Sequence, residues 1–493
     1  MFIFDFRARF STGFFVLKYL TYPKFSEILI TEIILKKYLL IFLTSSFLFS
    51  QSFVNNSEEH YSEIADQLIK SSLSEMRGYD WLRDLCENIG PRLSGSEESM
   101  RAIYWAKEKF EAMGVDSVWL QPVMVPKWER GDFEEAEIMN SKKYTGRKLN
   151  VAALGGSIST SKDGLSANIV EVFSLDELKD RADEINGNFV FFNRPYNQSN
   201  VSTFRGYGEM GDQRTRGPAE AAKYGAVGAI VRSITTKYDN TPHVGTMFFP
   251  DSIDKIPAVA IGLVDADFLS SALKEEPELK VNLRLDAKNN EEVLSYNVIA
   301  QINGTLYPDE LIVVGGHWDS WDKGCGAHDD GGPCIQTMEV LDIFKRFNIQ
   351  PKRTIRCVLF INEENGIKGA LAYADSSSNA GEKHLSAIES DRGVFTPRGF
   401  TTDADSVTLA KLQNWLPILN KATIDWIRPG GTGVDISRIK NAKAMFGYYP
   451  DPQRYFDVHH SDNDTFDQVN PREMQLGTAA IAILTYLLSE EGL

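Results

Sequence analysis

The sequence predicts an α/β fold: a mostly parallel mixed sheet with helices on both faces. Three observations predict it. From Tyr296 onward apolar runs alternate with amphipathic stretches, the pattern of strand–loop–helix units. One of these runs, Leu311-Ile312-Val313-Val314, is apolar throughout and reads as a strand buried on both faces. Histidines and carboxylates follow the runs, at the rim where parallel sheets bind ligands.

The elements follow in chain order. Lys36-Lys37 precede a short apolar run, Tyr38 to Phe49, and then Ser50-Gln51. A basic pair, an apolar stretch and a small residue match a secretory signal. The run is short for a membrane span, so a membrane anchor is the lesser alternative. Residues before Lys36 read as an upstream extension. The mature chain is expected to start near Gln51, secreted or periplasmic. Ser57 to Gly114 reads as helices, with Ile64, Leu68, Leu73 and Met76 on one face and Ile103, Phe110 and Met113 on another. Gly90 to Ser96 is a turn-rich loop between them. Val118–Leu120 and Val123–Val125 are extended.

From Asn150 to Asp286 the texture changes to short strands: 167–172, 187–192, 227–231 and 257–261. One helix, Pro218 to Tyr224, ends at Gly225 in a C-cap position. A lone His243 reads as structural. This segment is expected to be a separate, non-catalytic domain. Beyond it come strands at 297–302, 311–314, 354–361 and 386–389, and helices marked by the stripe Ile335, Met338, Leu341, Phe344 and by Gly369–Tyr373. Asn470-Pro471-Arg472-Glu473 supplies an N-cap, a first-turn proline and a capping-box glutamate for a last helix. The expected partition is a signal segment over 1–51, the first part of a catalytic domain over 58–149, an inserted domain over 150–286 and the catalytic part over 290–493.

A chain of 493 residues fits two or three domains. Its 43% hydrophobic and 24% charged residues are ordinary for a globular protein. A net charge of −16 speaks against nucleic acid as a partner. Cys86, Cys325, Cys334 and Cys357 have no CxxC spacing and are expected as buried free thiols. Cys325 and Cys334 flank the acidic loop, which leaves a thiolate ligand open.

The chemistry lies just past the strand ends. His317 follows the 311–314 strand, Glu363-Glu364 follows the 354–361 strand, and Asp391 follows the 386–389 strand. Asp329 and the His459-His460 pair join them if the rim is shared. Unpaired, so many anions would raise each other's pKa values; divalent cations resolve the conflict. Mixed nitrogen and oxygen donors favour zinc, and five or more exceed one tetrahedral site. Two metals about 3.5–4 Å apart can then share one carboxylate. In Glu363-Glu364 one carboxylate can bind metal while the other takes a proton from water. The Asp319 carboxylate, two residues past His317, can accept the second imidazole N–H.

Together these blocks resemble the co-catalytic di-zinc aminopeptidase and glutamate-carboxypeptidase family. The blocks are His317-Trp-Asp319, Gly326-Ala-His-Asp329-Asp330-Gly, Glu363-Glu364-Asn-Gly-Ile-Lys-Gly369, Glu389-Ser-Asp391 and His460-Ser-Asp-Asn-Asp464-Thr465, in the family's order. The resemblance implies a zinc-exopeptidase-like α/β fold with an inserted α+β protease-associated domain. It implies two Zn2+ per chain: His317, Asp329 and Asp391 on one, and Asp329, Glu364 and His460 on the other. Glu363 is then the general base and Asp319 orients His317. His328 and His459 flank ligands without being ligands, and a cis peptide joins Asp329 and Asp330. The implied substrate is a dipeptide or short peptide, with the loop Gly430–Asp435 as the candidate reader of a free terminus. No stable membrane span is expected in the mature chain, and a homodimer is left open. The alternatives are a non-catalytic receptor-like binding protein of the same fold, or a single-zinc glutaminyl cyclase.

Overall fold

The computed structural model describes residues 58–493. The signal-like segment expected over 1–51 lies outside them. Strands are numbered in chain order: β1 (Ser117–Glu129), β2 (Glu134–Met139), β3 (Lys148–Leu149), β4 (Val151–Ala153), β5 (Leu165–Val172), β6 (Phe189–Phe192), β7 (Gly228–Arg232) and β8 (Ala258–Ile261). They continue with β9 (Lys280–Leu285), β10 (Lys288–Ile302), β11 (Tyr307–His317), β12 (Arg353–Phe360), β13 (Lys383–Glu389), β14 (Pro397–Thr402), β15 (Trp426–Pro429) and β16 (Ala444–Pro450). Helices used below are α1 (Arg77–Asn88), α2 (Glu97–Met113), α3 (Thr203–Thr215), α4 (Gly217–Ala222), α5 (Gly332–Arg346), α6 (Lys368–Asn379) and α7 (Pro471–Glu491).

The first sheet has the order β1-β10-β12-β11-β13-β16-β14-β15. Its centre, β12-β11-β13-β16, is parallel, so those four C-terminal ends share one rim. The strand pair β1 and β10 closes one side in antiparallel register, and β14 pairs antiparallel with β16 on the other. Helix α5 packs on β11 and β12, beneath α1, α2 and α7. Its stripe Ile335, Met338, Leu341 and Phe344 is fully buried, because the helix is covered on every side. Ala370 and Tyr373 of α6 join Val313, Val358 and Phe360 in a separate cluster on the sheet. Helices therefore cover both faces, as the alternation of runs predicts.

The second sheet, β3-β2-β9-β5-β6-β7-β8-β4, is mixed, with β5 to β8 parallel. It begins at Glu134, ahead of the expected boundary at 150. β2 reads Glu-Glu-Ala-Glu-Ile-Met and buries only Ala136 and Ile138, so composition hides it. Helix α4 runs into Gly225, whose φ of +80° is the left-handed turn a glycine takes without cost. At α7, Asn470 Oδ1 accepts from Arg472 N and Glu473 N at 2.9 and 3.2 Å, the expected N-cap. The expected capping box does not form. Glu473 instead accepts from Thr396 Oγ1 at 2.6 Å and pairs with Arg454 at 3.0 Å, because a charged partner offers more than one backbone N–H. No helix among the described residues is long and apolar enough to cross a membrane.

Candidate metal centre

The parallel register sets the site. His317 ends β11 opposite Phe360 of β12, and Gly315 stands opposite Glu389 of β13. The chain turns out of the sheet at these points, which puts His317, Glu363-Glu364 and Asp391 on one rim. Gly316 has no room for a side chain: a Cβ there would run into Asp330 Oδ2 and the Ser390 carbonyl. Asp330 Oδ2 instead accepts the His317 N–H at 3.0 Å. The peptide bond between Asp329 and Asp330 is cis, as the resemblance implies.

Two sets of donor atoms lie within 4.8 Å of one another: His317, Asp329 and Asp391, and Asp329, His459 and His460. Asp329 stands between them. Its Oδ1 lies 3.2 Å from His317 Nε2, and its Oδ2 lies 3.3 Å from His460 Nε2. Asp391 Oδ1 is 3.6 Å from His317 Nε2. Glu364 Oε2 is 3.0 Å from His460 Nε2, while its Oε1 accepts Trp321 N at 3.1 Å. His459 Nε2 also approaches Asp329 Oδ2, at 3.5 Å. Its position inside the second set departs from the expectation that it only flanks the site. Two facts favour His460 as the donor. It meets both Asp329 and Glu364, and its Nδ1 is anchored on the Val244 carbonyl at 3.2 Å. His459 Nδ1 is buried without a partner, and its ring stacks on His460 at 3.5 Å. His328 stays out of the site, stacked on Phe395.

The orientation of His317 corrects one expectation. Its Nδ1 donates to the main-chain carbonyl of Asp319 at 2.9 Å, not to the Asp319 carboxylate. That carboxylate accepts Asn362 N and Glu363 N at 2.7 and 3.1 Å, so it fixes the turn carrying Glu363 and Glu364. The side chain is too short to reach back to its own neighbour's ring while it closes that turn. A carbonyl only accepts, so Nδ1 carries the proton in both His317 and His460 and leaves Nε2 free as a donor atom.

Charge makes the same point. Burial pushes the Glu363 carboxyl up to about 8, with the Asp391 charge adding to it. Burial likewise raises Glu364, Asp329 and Asp319. His317 moves well above its usual range: burial opposes this, and Asp330, Asp329 and Asp391 overcome it. Burial holds His460 and His459 well below theirs. Asp329 Oδ2 is buried with no hydrogen-bond donor. Crowded anions, a donorless carboxylate oxygen and aimed Nε2 atoms fit divalent zinc. Cys334 donates to the His317 carbonyl at 3.0 Å and lies in neither donor set, so the thiolate alternative is not realised there.

Several supports were not legible in the sequence. Asp464 accepts His328 N at 2.8 Å and Asp329 N at 3.0 Å, aiming the shared carboxylate. Arg92, fully buried, donates to the carbonyls of Trp318, Cys325 and Gly326 at 2.7, 2.7 and 3.2 Å. It ties down the loop between β11 and Asp329. Arg92→Met takes a charged donor from three buried carbonyls, of which Gly326 O alone keeps a backbone donor, Gly331 N at 2.9 Å. It should cost about 3 kcal/mol of unfolding free energy, read by urea denaturation of the metal-loaded chain. Arg214, Tyr207 and Val244, from the segment carrying the second sheet, reach the site as well. That segment supplies no candidate ligand, but it walls the cavity.

The cavity over the site holds about 410 Å³ and is lined by His317, Asp329, Glu363, Glu364, Asp391 and His460, with Tyr207, Arg214 and Phe456 completing the wall beside His459. A neighbouring cavity of about 530 Å³ shares Phe204, Asp391 and Val434 with it and is walled by the loop 430–434. Glu389 fixes that loop, accepting Val434 N and Ile436 N at 2.8 Å each.

This geometry has relatives. The family model for Peptidase family M28 matches residues 297–485. The chain is 33% identical over 418 residues to carboxypeptidase Q of Homo sapiens, covering 85% of this chain and 86% of that protein. Carboxypeptidase Q of Xenopus laevis is 33% identical over 438 residues, 87% and 90% of the two chains. A solved peptidase M28 precursor from Shewanella amazonensis SB2B superposes with a TM-score of 0.83 at 33% identity, covering 88% of this chain and 98% of that one. The zinc aminopeptidase BSAP of Bacillus subtilis shares the fold at 19% identity, with a TM-score of 0.60 over 83% and 93%. A rim of imidazoles around one central carboxylate, on a sheet whose relatives are peptidases over most of their length, places the chain: it belongs to peptidase family M28 and is a metallopeptidase.

Proposed function

We propose that the chain is a two-zinc exopeptidase that cleaves dipeptides or short peptides outside the cytoplasm. One observation carries the reading: the two oxygens of Asp329 each face a different imidazole, His317 on one side and His460 on the other. A carboxylate so placed is built to bridge. His317 and Asp391 would complete one site, Glu364 and His460 the other. When bound, the zinc pair polarises the scissile carbonyl and brings the pKa of water toward neutrality. Glu363 is the base. It borders the cavity without entering either donor set, and its main-chain N–H is pinned by Asp319. The Glu363 carboxylate takes the proton of the attacking water and hands it to the leaving amine. Tyr207 and Phe456, packed against His459, supply the apolar part of the cavity wall. A retained base beside a complete donor set argues against the receptor-like alternative, and a shared carboxylate argues against a single-zinc cyclase. The second sheet is read as the inserted protease-associated domain, starting near Glu134. The signal-like run before Gln51 supports export.

An exopeptidase must read a free terminus. Arg214 is nine-tenths buried in the cavity wall, and its bonds go to neutral oxygens: Val244 O at 3.1 Å and Tyr207 OH at 2.7 Å. Its Nε is buried without a partner. A buried guanidinium facing a cavity without a carboxylate on it favours an anionic ligand, here the substrate's terminal carboxylate. The loop 430–434 lines the other cavity, across Asp391, and suits the opposite end of the substrate. The test is a panel of free, N-blocked and C-amidated dipeptides on zinc-loaded protein, with metal content measured alongside. Arg214→Met should raise KM about 10–100-fold for free dipeptides and leave C-amidated ones nearly unchanged. Equal losses on both would remove Arg214 from substrate reading, and no turnover of any short peptide would remove the exopeptidase itself.

A further inference from the structure

Two sulfur atoms meet behind the metal loop. Cys86 sits half-buried in the last turn of α1, and Cys325 lies buried in the loop between β11 and Asp329. Their Sγ atoms are 2.6 Å apart, although 239 positions separate them in the chain. Ordinary non-bonded heavy atoms stand ~3.5–4.0 Å apart. A disulfide bond is ~2.05 Å long, so about half an ångström of movement closes it. The other two cysteines look elsewhere: Cys334 bonds the His317 carbonyl at 3.0 Å, and Cys357 faces Thr337 Oγ1 at 3.6 Å. Of the pairs that four cysteines can form, the structure brings one into contact.

We propose that Cys86 and Cys325 are a disulfide site, a covalent staple from α1 to the loop that presents Asp329. All four cysteines are free thiols in the structure, as expected, with Cys86 half-buried and the other three buried; the bond between this pair forms under oxidation. The reaction needs a two-electron oxidant, and a small-molecule disulfide such as oxidised glutathione serves. Cys86, the more exposed sulfur, gives up its proton and attacks that disulfide, which releases one glutathione thiolate. Cys325 gives up its proton and attacks Cys86 of the mixed disulfide, forming the Cys86–Cys325 bond and releasing the second. Two thiols are oxidised and one glutathione disulfide is reduced to two thiols.

The staple joins a region already under restraint. Arg92 holds the Cys325 carbonyl, and Cys325 N donates to Asp464 O at 2.8 Å. The Asp464 carboxylate in turn orients Asp329. The ring closed is long, the case in which chain-entropy arguments give a cross-link most effect on the unfolded state.

The test uses the full zinc-loaded chain and does not depend on its substrate. The protein is incubated with oxidised glutathione, its free thiols are alkylated, and it is digested without reductant for mass spectrometry. The expected product is a Cys86–Cys325 linked peptide, with the intact chain about 2 Da lighter. Alkylation of both residues, or glutathione persisting on Cys86 alone, overturns the proposal. A thermal melt gives the second reading. Reductant should lower the Tm of the oxidised chain by about 3 °C or more and leave Cys86→Ser unmoved. An oxidised chain that melts at the same temperature with and without reductant overturns the staple.

Discussion

Glu363→Gln is expected to lower kcat about 1,000-fold while bound zinc and KM stay close to wild type. The amide keeps the size and polarity of the side chain and loses only the ability to accept a proton. General-base catalysis is worth about 100- to 10,000-fold, and one residue carries it here. The geometry separates this role from ligation. Glu364, next along the chain, places its Oε2 3.0 Å from His460 Nε2, whereas Glu363 makes no such pair with His317 or His460. Glu364→Gln should therefore behave differently and release metal. Zinc content by mass spectrometry, measured on the samples used for steady-state kinetics, distinguishes the two. A Glu363→Gln protein that loses zinc in step with activity would falsify the assignment of Glu363 as base.

Much of this site was legible because parallel strands end together. His317, Glu363 and Asp391 each follow a buried strand, so a sheet rule could gather them before any coordinates. The helical stripe of α5 was readable for a similar local reason, whereas the cis peptide at Asp329 was expected only from the resemblance. What escaped is what depends on distant partners. Arg92 lies in a turn that looks solvated, yet it is buried against carbonyls more than 200 positions away. The Asp319 carboxylate closes the turn at Asn362 and leaves His317 to a carbonyl, a choice set by reach and not by residue type. Glu473 has the spacing of a capping box, but Arg454 and Thr396 compete for it. β2 went unseen because a strand with one wet face, second from the sheet's edge, carries charges where a core strand carries valines. Cys86 and Cys325 share no sequence spacing that announces a pair.

Removing zinc should make stability pH-dependent, and the sign follows from the carboxylates. In the metal-free chain burial holds Glu363 at about 8, and Asp464 at about 7, above the ordinary 4.5 and 3.8. A folded state that binds protons more tightly than the unfolded one loses stability as pH rises between the two pKa values. The carboxylate window therefore runs from about 4 to about 8, with their contribution full at its acid end. His459 and His460, held below the usual 6.5, act in the opposite sense under that value, so the carboxylate slope is read from about pH 6.5 upward. One pKa unit corresponds to about 1.4 kcal/mol, so relaxation included, the chelated protein should lose about 1–2 kcal/mol between pH 6.5 and pH 8. Bound cations stabilise the ionised carboxylates and should remove most of that slope. Glu339 provides an internal reference. It is buried beside Thr478, held up to about 7 by that burial, and belongs to neither donor set, so its share of the slope should persist with zinc bound. Thermal melts from pH 5 to pH 8.5, with and without chelator, read the difference. The gap between loaded and chelated protein should widen toward alkaline pH. A gap that stays constant or narrows would mean that the anions of this rim are not what the cations relieve, and the electrostatic reason for a metal at Asp329 would be gone.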